Sequence, residues 1–214
     1  MKDAKDDGRA DVAPAPYRRH LELMFIQTEA TPNPNVLKFL PGREVLGDGT
    51  REFKDAEAAA ASPLAGTLFG LTGVERVFFG PDFLTVTKGS DDQDWRELKA
   101  PILAAVMEHY TSGQPLLREG VEVSSHDEHE AYEGDTAQVV AEIKDLLDTR
   151  IRPAVARDGG DILFNRFDAS TGVVYLHMRG ACSGCPSSSA TLRSGVENML
   201  KHYVPEVTRV EAAL

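Results

Sequence analysis

The sequence predicts an α+β protein made of two small α/β-sandwich-like domains joined by an acidic linker. Three observations carry this. Strand-like runs and helix-period apolar stripes succeed one another twice along the 214 residues. Between the two sets, residues 119–135 hold seven acidic side chains and no Lys or Arg, and like charges extend a chain. The second set reads α-β-β-α-β, the order of a small sheet with its helices on one face. The expected division is a disordered tail over 1–23, a first domain over 24–118, the linker over 119–135 and a second domain over 136–214.

In the first domain, Met24-Phe25-Ile26-Gln27-Thr28 reads as a strand, and Met24 is a candidate start alongside Met1. Thr31-Pro32-Asn33-Pro34-Asn35 reads as a turn, because its prolines and asparagines oppose regular pairing. Val36 to Leu40 returns as a strand that Pro41-Gly42 ends. Ala56 to Leu71 is expected to be helical with a break near Pro63. Val74 to Phe79 and Phe83 to Thr87 form a hairpin around Gly80-Pro81-Asp82. Asp94 and Glu97 make a capping box. Behind them Trp95, Leu98, Ile102, Val106 and Tyr110 recur at helical spacing, with Pro101 in an early turn.

In the second domain, Asp135 and Gln138 are expected to cap a helix striped by Val139, Val140, Ile143, Leu146 and Leu147. Pro153 should kink or divide it, and Gly159-Gly160 should end it. Asp161 to Phe167 and Val173 to Met178 pair as strands, with Val174, Leu176 and Met178 on the core face. A helix then starts in the serines at 187–189, striped by Leu192, Val196, Met199, Leu200 and Tyr203, and Val207 to Val210 is a last strand.

Composition narrows the function classes. A net charge of −11 repels phosphate backbones, which argues against nucleic acid as a partner. No apolar run approaches the roughly 20 residues of a membrane span. Met1 to Ala15 is polar and charged, without the apolar core of a secretory signal and too acidic for an organelle transit peptide, so a cytoplasmic location is expected. The only cysteines are Cys182 and Cys185, which points to a reducing compartment and to metal or redox chemistry.

Those cysteines stand as Cys182-x-x-Cys185 in Arg179-Gly180-Ala181-Cys182-Ser183-Gly184-Cys185-Pro186, between a strand and a helix. Two intervening residues let both sulfurs reach one metal site. A helix N-terminus favours negative charge, so the thiols are expected to be acidified. Gly180 and Gly184 let the backbone fold around the sulfurs, and Pro186 can begin the helix. Zinc and the common iron–sulfur clusters take four protein ligands, whereas one chain supplies two thiolates. A two-fold homodimer would supply four, at an interface site suited to release. Two other readings stand beside this one. A dithiol at a helix start also performs disulfide exchange, although the loop lacks a Pro between its cysteines or aromatic residues before them. A dimer could equally bridge zinc. Two inert buried cysteines fit a polar, glycine-rich loop poorly.

Ile151-Arg152-Pro153, Asp158-Gly159-Gly160-Asp161-Ile162 and the Gly180 to Pro186 loop together resemble the C-terminal domain of the NifU (Nfu-type) iron–sulfur scaffold proteins, over about the last eighty residues. Phe25 to Glu29, Thr31 to Asn35 and Leu37 to Gly42 resemble the N-terminal domain of two-domain Nfu proteins. The resemblance implies a [4Fe–4S] cluster bound by Cys182 and Cys185 of each of two subunits. It also implies receipt from an upstream assembly scaffold and transfer to apo iron–sulfur enzymes, without enzymatic turnover. Four thiolates would also suit [2Fe–2S]. The mitochondrial members of that family make a mitochondrial location the alternative.

Several other residues carry two readings. Arg179 could offset the charge of a thiolate-ligated cluster or simply be solvated at a strand end. His177 lies near the cysteines and could be a ligand, but it opposes the core face and reads rather as an exposed histidine. His126 and His129 read as solvated spacer residues. The turn Asp158 to Asp161 is assigned to helix capping, Asn33 and Asn35 to turn chemistry, and the Trp95 stripe to core packing.

Overall fold

The computed structural model describes residues 25–89, 93–120, 132–183 and 186–213. The tail 1–23, the central part of the acidic linker and Gly184-Cys185 lie outside the described residues, as do His126 and His129. The architecture is α+β with two sheets.

The N-terminal module is an antiparallel sheet of β1 (Gln27–Ala30), β2 (Val36–Leu40), β3 (Arg51–Phe53), β4 (Val74–Phe79) and β5 (Leu84–Lys88), in the order β1-β2-β5-β4-β3. Helices α1 (Ala56–Ala59), α2 (Pro63–Phe69) and α3 (Trp95–Ser112) belong to the same module. The break at Pro63 has a local cause. Ser62 caps α2 by accepting from the Ala65 N–H, and Pro63 sits in its first turn, where a missing N–H costs nothing. Asp94 caps α3 by accepting from the Arg96 N–H at 2.9 Å, and Leu98, Ile102 and Val106 face the core. Alternation along the strands sends Phe39, Phe53, Val77, Phe79, Leu84 and Val86 into that core, with Phe53 and Phe79 edge to face at 5.1 Å. Two expectations are corrected. The first strand begins at Gln27, leaving Phe25 and Ile26 ahead of it, with Met24 outside the described residues, and the short β3 was not foreseen because Phe53 is its only apolar residue.

The C-terminal module follows the expected α-β-β-α-β order. Helix α4 (Gly134–Leu146) runs through a π-helical turn, Leu147–Ile151, into α5 (Arg152–Arg157). Strands β6 (Gly160–Asp168) and β7 (Val173–Gly180) pair antiparallel, and α6 (Pro186–Tyr203) crosses over to β8 (Arg209–Ala212), which pairs parallel with β7. The π turn is the form that Pro153 imposes. In an α-helix its ring would meet the Thr149 carbonyl and leave it without a donor, and widening the preceding turn relieves both. Gly159, at φ +84°, ends α5 in the left-handed conformation. The Asp135 cap is corrected: α4 begins at Gly134, so Asp135 lies inside its first turn, and Glu133 before the helix makes no side-chain cap bond. Val174 and Leu176 lie in the core with Met178 packed against it, as alternation required.

The two modules touch. β4 and β5 of the first sheet pack against β7 of the second.

Candidate functional site

The turn that ends β7 is built by backbone bonds. Gly180, at φ +61°, turns the chain out of the strand. Ala181 N–H then donates to the Gly159 carbonyl at 3.1 Å, Cys182 N–H to Arg179 at 3.3 Å, and Ser183 N–H to Gly180 at 3.1 Å. Gly160 supplies space: a Cβ there would stand 2.4 Å from the Cys182 sulfur and 2.7 Å from the Arg179 carbonyl oxygen. The glycines of the two motifs therefore meet, one under the thiol and one in the turn that carries it.

Cys182 is 5% exposed and belongs to the apolar core around Ile162, Val174 and Leu176. Two expectations are corrected here. The turn buries this thiol instead of presenting it, and the thiol is not acidified. Burial pushes Cys182 up to about 12, and the charges of Asp158 and Asp161 add to the effect. In this arrangement Cys182 is a neutral thiol. Cys185, the second candidate ligand, lies outside the described residues.

Asp161 anchors the base of the site at 3% exposure. Its carboxylate accepts from Arg152 Nε at 2.8 Å and Nη2 at 2.9 Å, from the Ile162 N–H at 2.9 Å, and from Thr50 Oγ1 at 2.7 Å. Arg152 also meets Asp148 at 3.1 Å. Burial alone would lower the Arg152 pKa, but the hydrogen bonds and charges of Asp161 and Asp148 outweigh it and raise it. The Asp158 to Asp161 turn, assigned to helix capping from sequence, thus also holds an ion pair. A cavity of about 260 Å³ lies beside it between the modules, lined in part by Asp48, Thr50, Phe83, Arg152 and Asp161.

Sequence reasoning missed the contribution of the N-terminal module. Glu52 Oε1 accepts from the Gly180 N–H at 3.1 Å and from Ser183 Oγ at 3.4 Å. Asn33 Nδ2 donates to the Ser183 carbonyl at 3.4 Å, while its own turn is held by Thr31 and Asn35 as turn chemistry predicts. His177 is half-buried rather than exposed, 2.9 Å from Asn165 Nδ2. Trp95 adds a hydrogen bond to the Pro34 carbonyl at 3.0 Å to its packing role. Among the described residues, no group of three His, Cys, Asp or Glu side chains is placed to hold a metal ion, and no helix is long and apolar enough to cross a membrane.

Two family models match the chain: the scaffold protein Nfu/NifU N-terminal model over residues 26–113 and the NifU-like domain over residues 143–211. A curated relative from Arabidopsis thaliana, "NifU-like protein 5, mitochondrial", is 50% identical over 97% of this chain and 74% of its own length. A Homo sapiens relative, "NFU1 iron-sulfur cluster scaffold homolog, mitochondrial", is 49% identical over 94% of this chain and 76% of its own length. For another, "NifU-like protein 4, mitochondrial" of Arabidopsis thaliana, 55% identical over 88% of this chain, the chain spans 65% of the relative's length. The solution structure of a NifU-like protein from Saccharomyces cerevisiae aligns with a TM-score of 0.43 at 25% identity, over 56% of this chain and 99% of that one. The mitochondrial relatives overturn the cytoplasmic location expected from Met1 to Ala15. The acidity of that stretch describes its charge, and charge alone does not fix a compartment.

Proposed function

The chain belongs to the Nfu/NifU scaffold family, and from that membership we propose that it carries an iron–sulfur cluster as cargo and passes it to apo-proteins. One observation carries the reading. The chain's only two cysteines, Cys182 and Cys185, fall in and just after the tight turn that ends β7, within the segment matched by the NifU-like domain model. Two thiolates per chain are half of what a common cluster takes, so two copies of the chain share one cluster. The [4Fe–4S] form rests on the family resemblance, since the same four thiolates would also suit [2Fe–2S]. The division into domains over 24–118 and 136–214 belongs to the same reading, with ligands only in the second.

Loading and release are ligand exchange. Iron displaces the thiol proton of each cysteine and takes the thiolate, so each new Fe–S bond frees one proton. In transfer, a recipient's cysteine thiolate forms a bond to iron as the Cys182 or Cys185 bond breaks. The departing thiolate takes up a proton, and no electron moves. A source that makes the cluster stands upstream, and the recipients are apo iron–sulfur proteins with free cysteines. No small molecule is turned over.

Anaerobic reconstitution with iron and sulfide tests this. The parent should give a brown dimer on gel filtration with about four irons per pair of chains. Cys182→Ala and Cys185→Ala should each lose bound iron while keeping the far-ultraviolet circular dichroism of the parent. Normal iron content in either variant would sink the ligand assignment. A colourless parent that binds zinc, or cycles a disulfide without iron, would replace the cargo reading.

A further inference from the structure

The first sheet has two faces, and only one of them lies against its helices. Alternation sends Phe39, Phe53, Val77 and Phe79 inward, so Lys38, Glu52, Phe78 and Thr85 point the other way. On a free antiparallel sheet those side chains would meet water. Here Phe78 and Thr85 are each 1% exposed and Lys38 6%. Their cover is the edge of the C-terminal module that carries the cysteine turn.

The contacts surround that turn. Lys38 Nζ donates to the Ala156 and Arg157 carbonyls, both at 3.1 Å, where a cation complements the C-terminal end of α5. Glu52 holds Gly180 and Ser183, Asn33 holds Ser183, and Thr50 holds Asp161. A Cβ on Gly180 would stand 3.0 Å from the Phe78 ring, and one on Gly159 would stand 3.0 Å from Thr85 Cγ2. The residues on both sides of Cys182, Gly180 and Ser183, are thus bonded to the other module. Yet the join is built largely of polar bonds and leaves Thr85 Oγ1 buried without a hydrogen bond. Interfaces that separate have this character.

We propose that the outer face of the first sheet is a reversible cover for the cysteine turn, so that docking of the two modules and sharing of a cluster between two chains exclude one another. This rests on Cys182 being a cluster ligand. A turn whose Gly180 and Ser183 are bonded to its own N-terminal module cannot also face the turn of a second chain. Cluster binding therefore selects the uncovered state, and whatever holds the cover open favours loading.

The experiment uses the full-length apo-protein with Cys185→Ser, so that Cys182 is the only thiol. Its rate of alkylation by iodoacetamide is followed by mass spectrometry at fixed pH. Lys38→Met removes the ammonium, which donates to the Ala156 and Arg157 carbonyls and lies 4.6 Å from the Phe83 ring centroid, and Glu52→Gln removes a charge at the opposite end of the join. Each should raise the Cys182 rate about tenfold, the factor equivalent to losing a hydrogen bond to a charged group. Glu108→Gln, exposed on α3, should leave it unchanged. Rates within twofold of the parent in Lys38→Met and Glu52→Gln, with circular dichroism intact, would overturn the cover. Because the two substitutions lie apart, misfolding of one leaves the other decisive. With both cysteines restored, the same substitutions should speed iron–sulfide loading. If no chain takes up iron, the cargo reading fails, and the alkylation rates still decide the cover.

Discussion

Asp161 accepts four hydrogen bonds at almost no exposure, two from one guanidinium, so its charge is compensated only while Arg152 stays in place. Asp161→Asn keeps the shape but sets an amide against the guanidinium. It should cost about 2 to 3 kcal/mol in urea unfolding, toward the low end for a broken buried pair because Arg152 is partly exposed. Gly160→Ala tests space, since Gly160 has no left-handed φ to lose. A Cβ 2.7 Å from the Arg179 carbonyl forces backbone to move, and about 1 to 3 kcal/mol of destabilisation should follow. At this scale the sequence identified Cys182 but not its setting. Burial of the thiol depends on Gly160 lying beneath it, and spacing within the loop carries no information about a partner on the neighbouring strand. Asn33, Lys38, Thr50 and Glu52 were illegible for the same reason, as their partners lie more than a hundred positions along the chain.

Elements were more legible where local chemistry decides them. Val36 to Leu40 and Val74 to Phe79 form the strands that their apolar, β-branched and aromatic residues between turn signals require, and Ser62-Pro63 starts a helix by its own capping. The π turn was legible only as a disturbance at Pro153, since the repair depends on how the flanking helices pack. Helix α3 carries a consequence for pH. His109 sits on its buried face against Tyr110, and burial holds its pKa below the ordinary 6.5. Below that value the unfolded chain binds a proton that the folded chain resists, so stability should fall as pH drops from 6.5 toward the folded pKa. The slope cannot exceed about 1.4 kcal/mol per pH unit for one group. Urea midpoints at pH 7.5 and 5.5 check this, and His109→Gln should flatten the difference in that window.

For the whole molecule, the sequence predicted two α+β units and the α-β-β-α-β order of the second, and the structure has both, with β3 added to the first. It did not predict that they share a face. A signal was present in Val77-Phe78-Phe79, a continuous apolar run in a strand of the first sheet. Such runs mark strands buried on both faces. Which surface provides the second burial could not be read, because Phe78 would look the same beneath a helix, a second chain or the cysteine turn.

The parallel pairing of β8 with β7 also orders events in time. Val173 to Leu176, the strand leading to the cysteine turn, is flanked on one side by β6 and on the other by Arg209 to Ala212. Synthesis delivers the turn first, then all of α6, and only then the strand that completes the sheet behind it. A nascent chain therefore exposes its thiols before the framework that buries Cys182 is finished. During that interval the cysteines are open to oxidants and stray metals, with the chain of the N-terminal module already synthesised.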